Sequence, residues 1–478
     1  SPVQRWFFGL GLPVPGHFNQ SVVLEAAGRV DVGVLRGAVA QVLAHHDGLR
    51  SRFECVDGEW RGRVADIAHD VGDVVWEAGV CPSGTSEEDW LRRVADAAQG
   101  SLDLSAGPLV RVVVFDRGER SLVLVVVHHL VVDTVSWPVL VGDLASAYGR
   151  LLAGEPVVLP VKTTSFAAWS SYLAELAGSG EVSAEAPYWE RVAGQVRPVP
   201  RDRSGGNAVV AGREVRVALG GELTSRLLSR VPSVSRLRVD EVLLAGLGMV
   251  LGGWAGDGGP VVVDVESHGR HEEGPGIDLS RTVGWFTCLY PVVLPGGADP
   301  GAVLADTKEM LRQVPRHGLG YGLLRHLSGW RPPATAEISF NYLGQAGPGR
   351  PTDDRTDHAG DADSRFQVVE RPQGHAHSLE GDRPYLIEIN SQVVDGRLSL
   401  GWTYSSDIHE EATISGLAHR HVEILGELID HCCRPEAGDY TPSDFPLAAL
   451  DQSSLDFIKQ RFGSVSPPGE STDSGGRS

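Results

Sequence analysis

SLVLVVVHHLVVDTVSWPVL, residues 121–140, is the stretch that decides the fold. Its apolar run Leu122–Val127 has the length and composition of a strand buried on both faces. The run ends at His128 and His129, and a predicted helix follows over about 136–152. Polar groups therefore appear where a buried strand leaves the core.

The two histidines cannot both have the same role if the strand continues through them. Successive strand residues point to opposite faces, so His128 and His129 share a cavity only if the strand has ended. We expect one imidazole to take part in the chemistry and the other to hold it in position. Asp133 could orient an imidazole or accept a hydrogen bond from an arginine elsewhere. The alternative is a hydrogen-bonded polar cluster without chemistry, which is commoner for a histidine pair alone.

The neighbouring pattern predicts an α/β unit. Residues 108–115 and 121–127 form a predicted hairpin that delivers the second strand to His128. A helix is predicted over Val32–His46, with one apolar face. His45 and His46, at its end, are interpreted as structural, since cationic side chains suit a helix C-terminus.

The same arrangement recurs in the second half of the chain. A predicted strand, Val261–Val265, runs directly into Glu266-Ser267-His268-Gly269-Arg270. Buried strands that end in ionisable groups, once in each half, predict two strand ends facing each other across an interdomain cleft.

Composition shifts suggest the domain boundaries. A segment rich in proline, glycine and charge predicts a linker at 196–212, between an N-terminal unit at 1–195 and a C-terminal unit at 213–463. A Ser/Pro/Gly tail, 464–478, is predicted to be unstructured. Residues 347–377, which are polar and charged, are predicted to be a surface loop or insert.

The composition also excludes some partners. A net charge of −20 in 478 residues argues against nucleic acid or an anionic membrane surface as a partner. Five cysteines without metal-ligand spacing suggest reduced thiols and a cytoplasmic protein. No signal peptide or membrane-spanning run is evident. Because the chain does not begin with methionine, we expect its first residue to be a cut end.

Several segments, in chain order, resemble the motif series of the epimerization domains of nonribosomal peptide synthetases. They are PVQRWFF (2–8), HHLVVDTVSW (128–137), KTTSF (162–166), DVESHGRH (264–271), DLSRTVGWFTCLYPV (278–292), HGLGYGLLRHL (317–327), FNYLGQ (340–345) and TPSDFPLAALDQ (441–452). The HHxxxD motif is shared with condensation domains of the same superfamily. ESHGR together with FNYLGQ favours the epimerization branch.

The resemblance implies a fold and an activity. The fold is an α+β sandwich similar to chloramphenicol acetyltransferase, in which two related α/β subdomains form a V with a central tunnel. The activity is inversion of the α-carbon of an aminoacyl or peptidyl thioester. The phosphopantetheine arm belongs to a partner peptidyl carrier protein, and neighbouring synthetase domains are further expected partners. No metal and no separately bound cofactor are implied.

The resemblance also assigns roles to residues. Inversion needs an acid and a base on opposite faces of the α-carbon, and these roles map onto His129 and Glu266. Burial should raise the pKa of Glu266, because a free carboxylate is a weak base for this proton. Tyr342 is a candidate to donate to the thioester oxygen or to deliver the proton, and Asn341 is the other candidate donor. Packing is the equal alternative for Tyr342.

The remaining motif residues are expected to support or shape the site. Arg270 is the predicted partner of Asp133, and His128 is a further supporting residue. Thr134 and Ser267 replace small residues that the family commonly has there, and are expected to shape the tunnel. Trp137 and Trp285 are interpreted as core residues.

Two other functions remain open from the sequence. In amide-bond condensation, His129 would assist an incoming amine and Glu266 would have no required role. A catalytically silent docking module would bind a carrier protein without exchanging its α-proton.

Overall fold

The computed structural model describes residues 1–66, 71–256, 258–271, 274, 276–345, 365–434, 441–445, 454 and 457. The strands in chain order are β1 (Asn19–Ala26), β2 (Ser51–Val56), β3 (Glu59–Val64), β4 (Val75–Val80), β5 (Val110–Asp116), β6 (Ser121–His128), β7 (Gly212–Ala218), β8 (Val261–Ser267), β9 (Cys288–Leu294), β10 (Ile338–Gln345), β11 (Phe366–Val369), β12 (Ile387–Val394) and β13 (Arg397–Ser405).

Within the described residues, the strands form a five-stranded, a six-stranded and a two-stranded sheet, the last made of β2 and β3. Helices pack against the two larger sheets. In chain order they are α1 (Pro2–Gly9), α2 (Val32–His45), α3 (Val71–Val74), α4 (Glu87–Gln99), α5 (Ser136–Leu152), α6 (Phe166–Ala177), α7 (Gly180–Ser183), α8 (Ala186–Ala193), α9 (Gly221–Ser225), α10 (Val231–Ser235), α11 (Val239–Ala255), α12 (Pro300–Arg312), α13 (Leu319–His326) and α14 (Glu411–Cys432). Within the described ranges, no helix combines the length and apolar character that crossing a bilayer requires.

The first sheet has the order β11-β1-β6-β5-β4, with β6 at its centre. Every residue of β6 is buried, and β6 pairs antiparallel with β1 and β5, which confirms the predicted hairpin. Val123, Val125 and Val127 pack in a core that includes residues of α2 and α5. The alternate residues of β6 pack with residues of α4. The uninterrupted apolar run thus reflects a strand covered on both faces.

The helices beside β6 follow the predicted pattern. The Asp31 side chain accepts a hydrogen bond from the backbone N–H of Val34 and caps α2, whose predicted apolar residues are buried. Helix α5 covers Ser136–Leu152, as predicted, and packs against α2. Helix α5 begins eight residues after β6 ends, so the polar groups of the motif occupy the connection between them.

The second sheet has the order β7-β13-β12-β10-β8-β9 and two chemically different faces. Val263, Val265, Phe340 and Ile389 lie in an apolar core with residues of α11 and α14. Six alternate residues of the central strands β8, β10 and β12 are polar. They are Asp264, Glu266, Ser339, Asn341, Glu388 and Asn390, placed on one face by the register of the three strands.

One segment of the second half completes the first sheet. The described part of residues 347–377 contains β11, which pairs antiparallel with β1, so the prediction of a loop is wrong there. A four-residue strand at a sheet edge has too short a pattern to identify, because its partner is distant in the sequence. The remainder of that segment, 347–364, lies outside the described residues, as does the predicted tail.

The predicted linker contacts Glu337, the residue that precedes β10. Its Val199 backbone N–H and Arg201 guanidinium both donate to the carboxylate of Glu337, at 2.8 and 2.6 Å. Strand β7 begins at Gly212, the last residue assigned to the linker. The boundaries between the two units otherwise remain a prediction.

Candidate active site

The histidine pair lies where β6 changes into a turn. Strand β6 ends at His128, and His129 begins a 3₁₀ turn that extends to Val131. His128 is fully buried: its Nε2–H donates to the Pro15 carbonyl at 2.8 Å, and its Nδ1 accepts from the Leu130 N–H at 3.2 Å. Burial lowers the pKa of His128 to about 3. This neutral ring holds the turn, a supporting position.

His129 is only half-buried, and both of its ring nitrogens are hydrogen-bonded. Nδ1–H donates to the Val132 carbonyl at 2.9 Å, which leaves a lone pair on Nε2. That lone pair accepts from the side-chain amide of Gln20 at 3.0 Å, and the Trp137 indole N–H donates to Gln20 Oε1 at 2.8 Å. Burial lowers the pKa of His129. The imidazole is therefore a neutral acceptor at neutral pH.

Neither Gln20 nor the polar contact of Trp137 was predicted from the sequence. Trp137 is predicted to be a core residue, and it does pack against the apolar core of the first sheet. Its indole N–H nevertheless donates to Gln20. A buried or half-buried tryptophan usually finds an acceptor for this N–H. The presence of Trp137 was therefore a signal that some acceptor lies nearby. That acceptor, Gln20, is over a hundred residues away in the sequence and is not indicated by any local pattern.

Aromatic rings surround His129. Its ring centroid lies 4.1 Å from that of Trp285 and 5.7 Å from that of Phe18. Phe18 in turn stacks on His377 at 4.3 Å with nearly parallel rings. Trp285 and His377 belong to the second half of the chain, so both halves contribute to this wall.

Glu266 lies near the end of β8, which continues through Ser267, two residues beyond its predicted end. Its half-buried carboxylate accepts a hydrogen bond from Asn341 Nδ2 at 3.0 Å. Burial, reinforced by the like charge of Glu388, raises the pKa of Glu266 to about 7. The carboxyl group is thus poised to hold or release a proton near neutral pH.

A second carboxyl group shares the polar face. Asp264 lies two residues before Glu266 and is buried, and the Tyr385 hydroxyl donates to its Oδ2 at 2.9 Å. Burial raises the pKa of Asp264 to about 6. Asp264 is not among the predicted site residues, although the alternation of valine with acid in VVVDVES indicates two carboxylates on one strand face.

The structure separates the two candidates from FNYLGQ. Strand β10 stays in register with β12 through Tyr342, so Asn341 and Tyr342 point to opposite faces. Asn341 contacts Glu266, whereas Tyr342 packs against the apolar core of the second sheet. Burial raises the pKa of Tyr342 to about 12, so it retains its hydroxyl proton. Its catalytic role remains a prediction that this placement does not support.

Asp133 and Arg270 form the predicted pair. Arg270 Nη2 donates to Asp133 Oδ1 at 2.8 Å, and only 7% and 5% of the two side chains are exposed. Arg270 also donates to the carbonyls of Leu279 and Thr282, and Asp133 accepts from the N–H and hydroxyl of Ser136. The pair joins the β6–α5 connection to the segment after β8.

The second histidine pair belongs to another ionic cluster between the halves. His46 Nε2 lies 2.9 Å from Asp143 Oδ2, and the guanidinium of Arg281 lies 2.6 Å from Oδ1 of the same carboxylate. His45, His46 and Asp143 could together offer ligand atoms to a metal. Both carboxylate oxygens already have cationic or imidazole partners, which agrees with the structural interpretation.

The two predicted tunnel-shaping residues differ in position. Thr134 is exposed immediately after the buried Asp133. Ser267 lies opposite Cys288 in the β8–β9 pair, on the sheet face away from Glu266, and its hydroxyl contacts the His317 carbonyl at 3.4 Å. Their influence on a tunnel remains a prediction.

A cavity lies next to residues that neighbour the two candidate groups, although neither His129 nor Glu266 is among its lining residues. It is a shallow depression, partly open to solvent, between α1, α6, α13 and the start of β9. Trp285, which contacts His129, lines it, and so does Leu289, which pairs with Glu266 across β8 and β9 on the same face. One residue in contact with His129 and one cross-strand neighbour of Glu266 therefore line the same cavity.

Comparison with known proteins agrees with this architecture. Residues 1–450 match the family model of the condensation domain. The chain belongs to the condensation domain family. Among solved structures, the condensation-family chain is similar to the epimerization domain from the third module of tyrocidine synthetase B, at 33% identity and a TM-score of 0.82. That match covers 91% of this chain and 97% of the other.

Curated relatives are large peptide synthetases. The chain is 40% identical over 95% of its length to one component of the linear gramicidin synthase of Brevibacillus parabrevis, and 34% identical over 96% to tyrocidine synthase 2 of the same organism. It spans only 6% and 13% of those two proteins. The condensation domain of a monacolin K polyketide synthase, 19% identical with a TM-score of 0.70, shows the shared fold. The predicted α/β fold class is confirmed.

Proposed function

We propose that this condensation-family domain epimerizes the α-carbon of an aminoacyl or peptidyl thioester. The thioester is carried on the phosphopantetheine arm of a peptidyl carrier protein, which is the substrate-bearing partner. The single observation that carries the proposal is that a neutral imidazole and a carboxyl group of raised pKa, from different halves of the chain, each have a neighbouring residue that lines one cavity.

The chemistry requires both groups. One group takes the α-proton, the carbon becomes part of a planar enolate, and the other group returns a proton to the opposite face. His129 offers an unprotonated Nε2, and Glu266, whose pKa is raised to about 7, can hold a proton near neutral pH. The pair therefore has the one proton and the one vacant base that a reversible inversion needs.

Asn341 completes the carboxyl side of the site. Its amide holds Oε2 of Glu266, which leaves the other carboxyl oxygen for the substrate proton. Asp133 and Arg270 fix the connection that carries His129 relative to the segment that follows Glu266. These residues position the acid and base and transfer no proton themselves.

Chiral analysis of the carrier-bound product tests this function. The carrier protein, loaded with a single L-aminoacyl group, is incubated with the domain, and the released amino acid is separated by chirality. We expect a mixture of D and L forms, with conversion abolished in Glu266→Gln and His129→Ala but retained in Glu423→Gln, which changes an exposed carboxylate of α14.

Adding a second carrier that bears a free amine separates the proposal from amide-bond condensation. Epimerization predicts a D product without peptide formation. Peptide formation with retained L configuration, undiminished in Glu266→Gln, would instead identify a condensation domain. Carrier binding without either product would identify a docking module.

A further inference from the structure

We propose that Gln20, anchored by Trp137, is a positioning residue that keeps Nε2 of His129 unprotonated and able to accept the α-proton. The inference rests on the proposed function and deepens it. It follows from a chain of three hydrogen bonds that runs from the Trp137 indole through the Gln20 amide and the His129 ring to the Val132 carbonyl.

The direction of this chain is fixed at both ends. An indole N–H can only donate, so the atom of Gln20 that faces Trp137 at 2.8 Å is the carbonyl oxygen. The amide N–H₂ of Gln20 therefore faces His129 Nε2, at 3.0 Å. At the far end, a backbone carbonyl can only accept, so the ring proton of His129 is on Nδ1. Both ends thus specify the same neutral tautomer.

The arrangement disfavours the protonated ring. An imidazolium would place an Nε2–H against the amide N–H₂ of Gln20, since donors would then face each other. Turning the amide over would relieve that contact but would set its N–H₂ against the indole N–H of Trp137. Either change loses a hydrogen bond in a half-buried site, where an unpaired polar group is costly.

The backbone around Gln20 is well fixed. Gln20 pairs with Val127 in the β1–β6 ladder, next to the pair of Asn19 with His128. The buried Asn19 amide donates to the Gln99 carbonyl at 2.8 Å, which anchors this end of β1. The Gln20 amide therefore meets His129 from a rigid strand.

The other ionisable groups around His129 act in opposing directions. Asp133, in the same connection, favours the protonated ring. His128 and His377 are neighbours whose protonation would oppose that of His129. Gln20 differs from these residues because it forms a direct hydrogen bond to the nitrogen that would receive the substrate proton.

Replacing the amide by a carboxylate gives the sharpest test. In Gln20→Glu, a negative acceptor faces Nε2, so the pKa of His129 should rise by about 1 to 3 units. The pKa is measured by NMR of the domain with ¹⁵N-labelled histidine, and His129→Ala identifies the resonance. The acidic limb of the epimerization rate should move to higher pH by the same amount, with KM little changed. An unchanged His129 pKa in a folded Gln20→Glu variant would overturn the proposal.

A double-mutant cycle tests the role of Trp137. Trp137→Phe removes the indole N–H, so the Gln20 amide is free to turn over, and kcat should fall. Combined with Gln20→Met, which removes the amide, Trp137→Phe should cause no further loss of kcat. Fully additive losses would contradict action through Gln20. Trp76→Phe, in β4 and two strands from β6, is the matched control and should leave kcat unchanged.

The two proposals fail separately. The NMR titration needs neither carrier nor substrate, so it decides the effect of Gln20 on His129 even if no epimerization is observed. If Gln20→Glu shifts the pKa of His129 but the domain catalyses no inversion, the positioning role of Gln20 is supported and the proposed function is rejected.

Discussion

Arg270 Nη2 lies 2.8 Å from Asp133 Oδ1, and this buried ion pair ties the connection that carries His129 to the segment that follows Glu266. The guanidinium also lies over the Phe286 ring, 4.1 Å from its centroid. Groups from distant parts of the sequence are thereby held in a fixed relation, which proton transfer at a single carbon requires.

Removing the arginine should destabilise the domain strongly. Arg270→Met leaves the carboxylate of Asp133 buried without its cation, which typically costs about 3–5 kcal/mol. We expect the free energy of unfolding, measured in urea, to fall by this amount. Arg420→Met, at an exposed ion pair of α14, should change it by less than about 1 kcal/mol. Equal losses of unfolding free energy in the two variants would show that the buried Asp133–Arg270 pair stabilises the domain no more than an exposed ion pair does.

Asn341 should affect both rate and pH dependence. Asn341→Ala removes a hydrogen bond to a charged group, worth about 1.5–3 kcal/mol, so the epimerization rate should fall about 10- to 100-fold. Because the amide favours the carboxylate form, its loss should raise the pKa of Glu266 further and move the alkaline limb to higher pH. Asn390→Ala, at an exposed position on the same sheet face, is the control. A rate loss without movement of the alkaline limb would show that Asn341 does not act through the Glu266 carboxyl group.

The pH dependence of kcat/KM should be bell-shaped. Inversion needs one proton shared by His129 and Glu266, so activity should fall above about pH 7, where Glu266 loses its proton. It should also fall at low pH, where His129 becomes protonated, and this limb should lie below the ordinary histidine range because burial lowers that pKa. Activity that rises continuously through pH 8 would contradict the assignment of Glu266.

Tyr342 should matter less than Asn341. Tyr342→Phe keeps the ring that packs in the core of the second sheet and removes only the hydroxyl. We expect an epimerization rate within a few-fold of the original. A loss as large as that of Asn341→Ala, with unchanged thermal stability, would restore Tyr342 as a proton or hydrogen-bond donor.

The strongly periodic elements were predictable from the sequence. The run of β6, the helix α5 and the alternation in β8 follow directly from local patterns, because burial on one or both faces imposes a period. The partnership of Asp133 and Arg270 was predicted as well. This pair could be predicted because each of two buried strands is followed by a charged residue, and a buried charge needs a partner of opposite sign.

The missed features depend on long-range geometry. Gln20 meets His129 only because β1 lies beside β6, and β11 joins β1 from a segment that appears featureless in the sequence. The opposite placement of Asn341 and Tyr342 was implicit in strand alternation but required the register of β10 to be known. Local sequence patterns do not specify which distant strands become neighbours.

Solvent deuterium incorporation tests the central claim most directly. A carrier protein bearing an L-aminoacyl thioester is incubated with the domain in heavy water, and the α-position is analysed by mass spectrometry. The proposed acid–base pair predicts deuterium at the α-carbon, with incorporation lost in both His129→Ala and Glu266→Gln and retained in Glu423→Gln. An intact, carrier-binding domain that leaves the α-hydrogen unexchanged would contradict it.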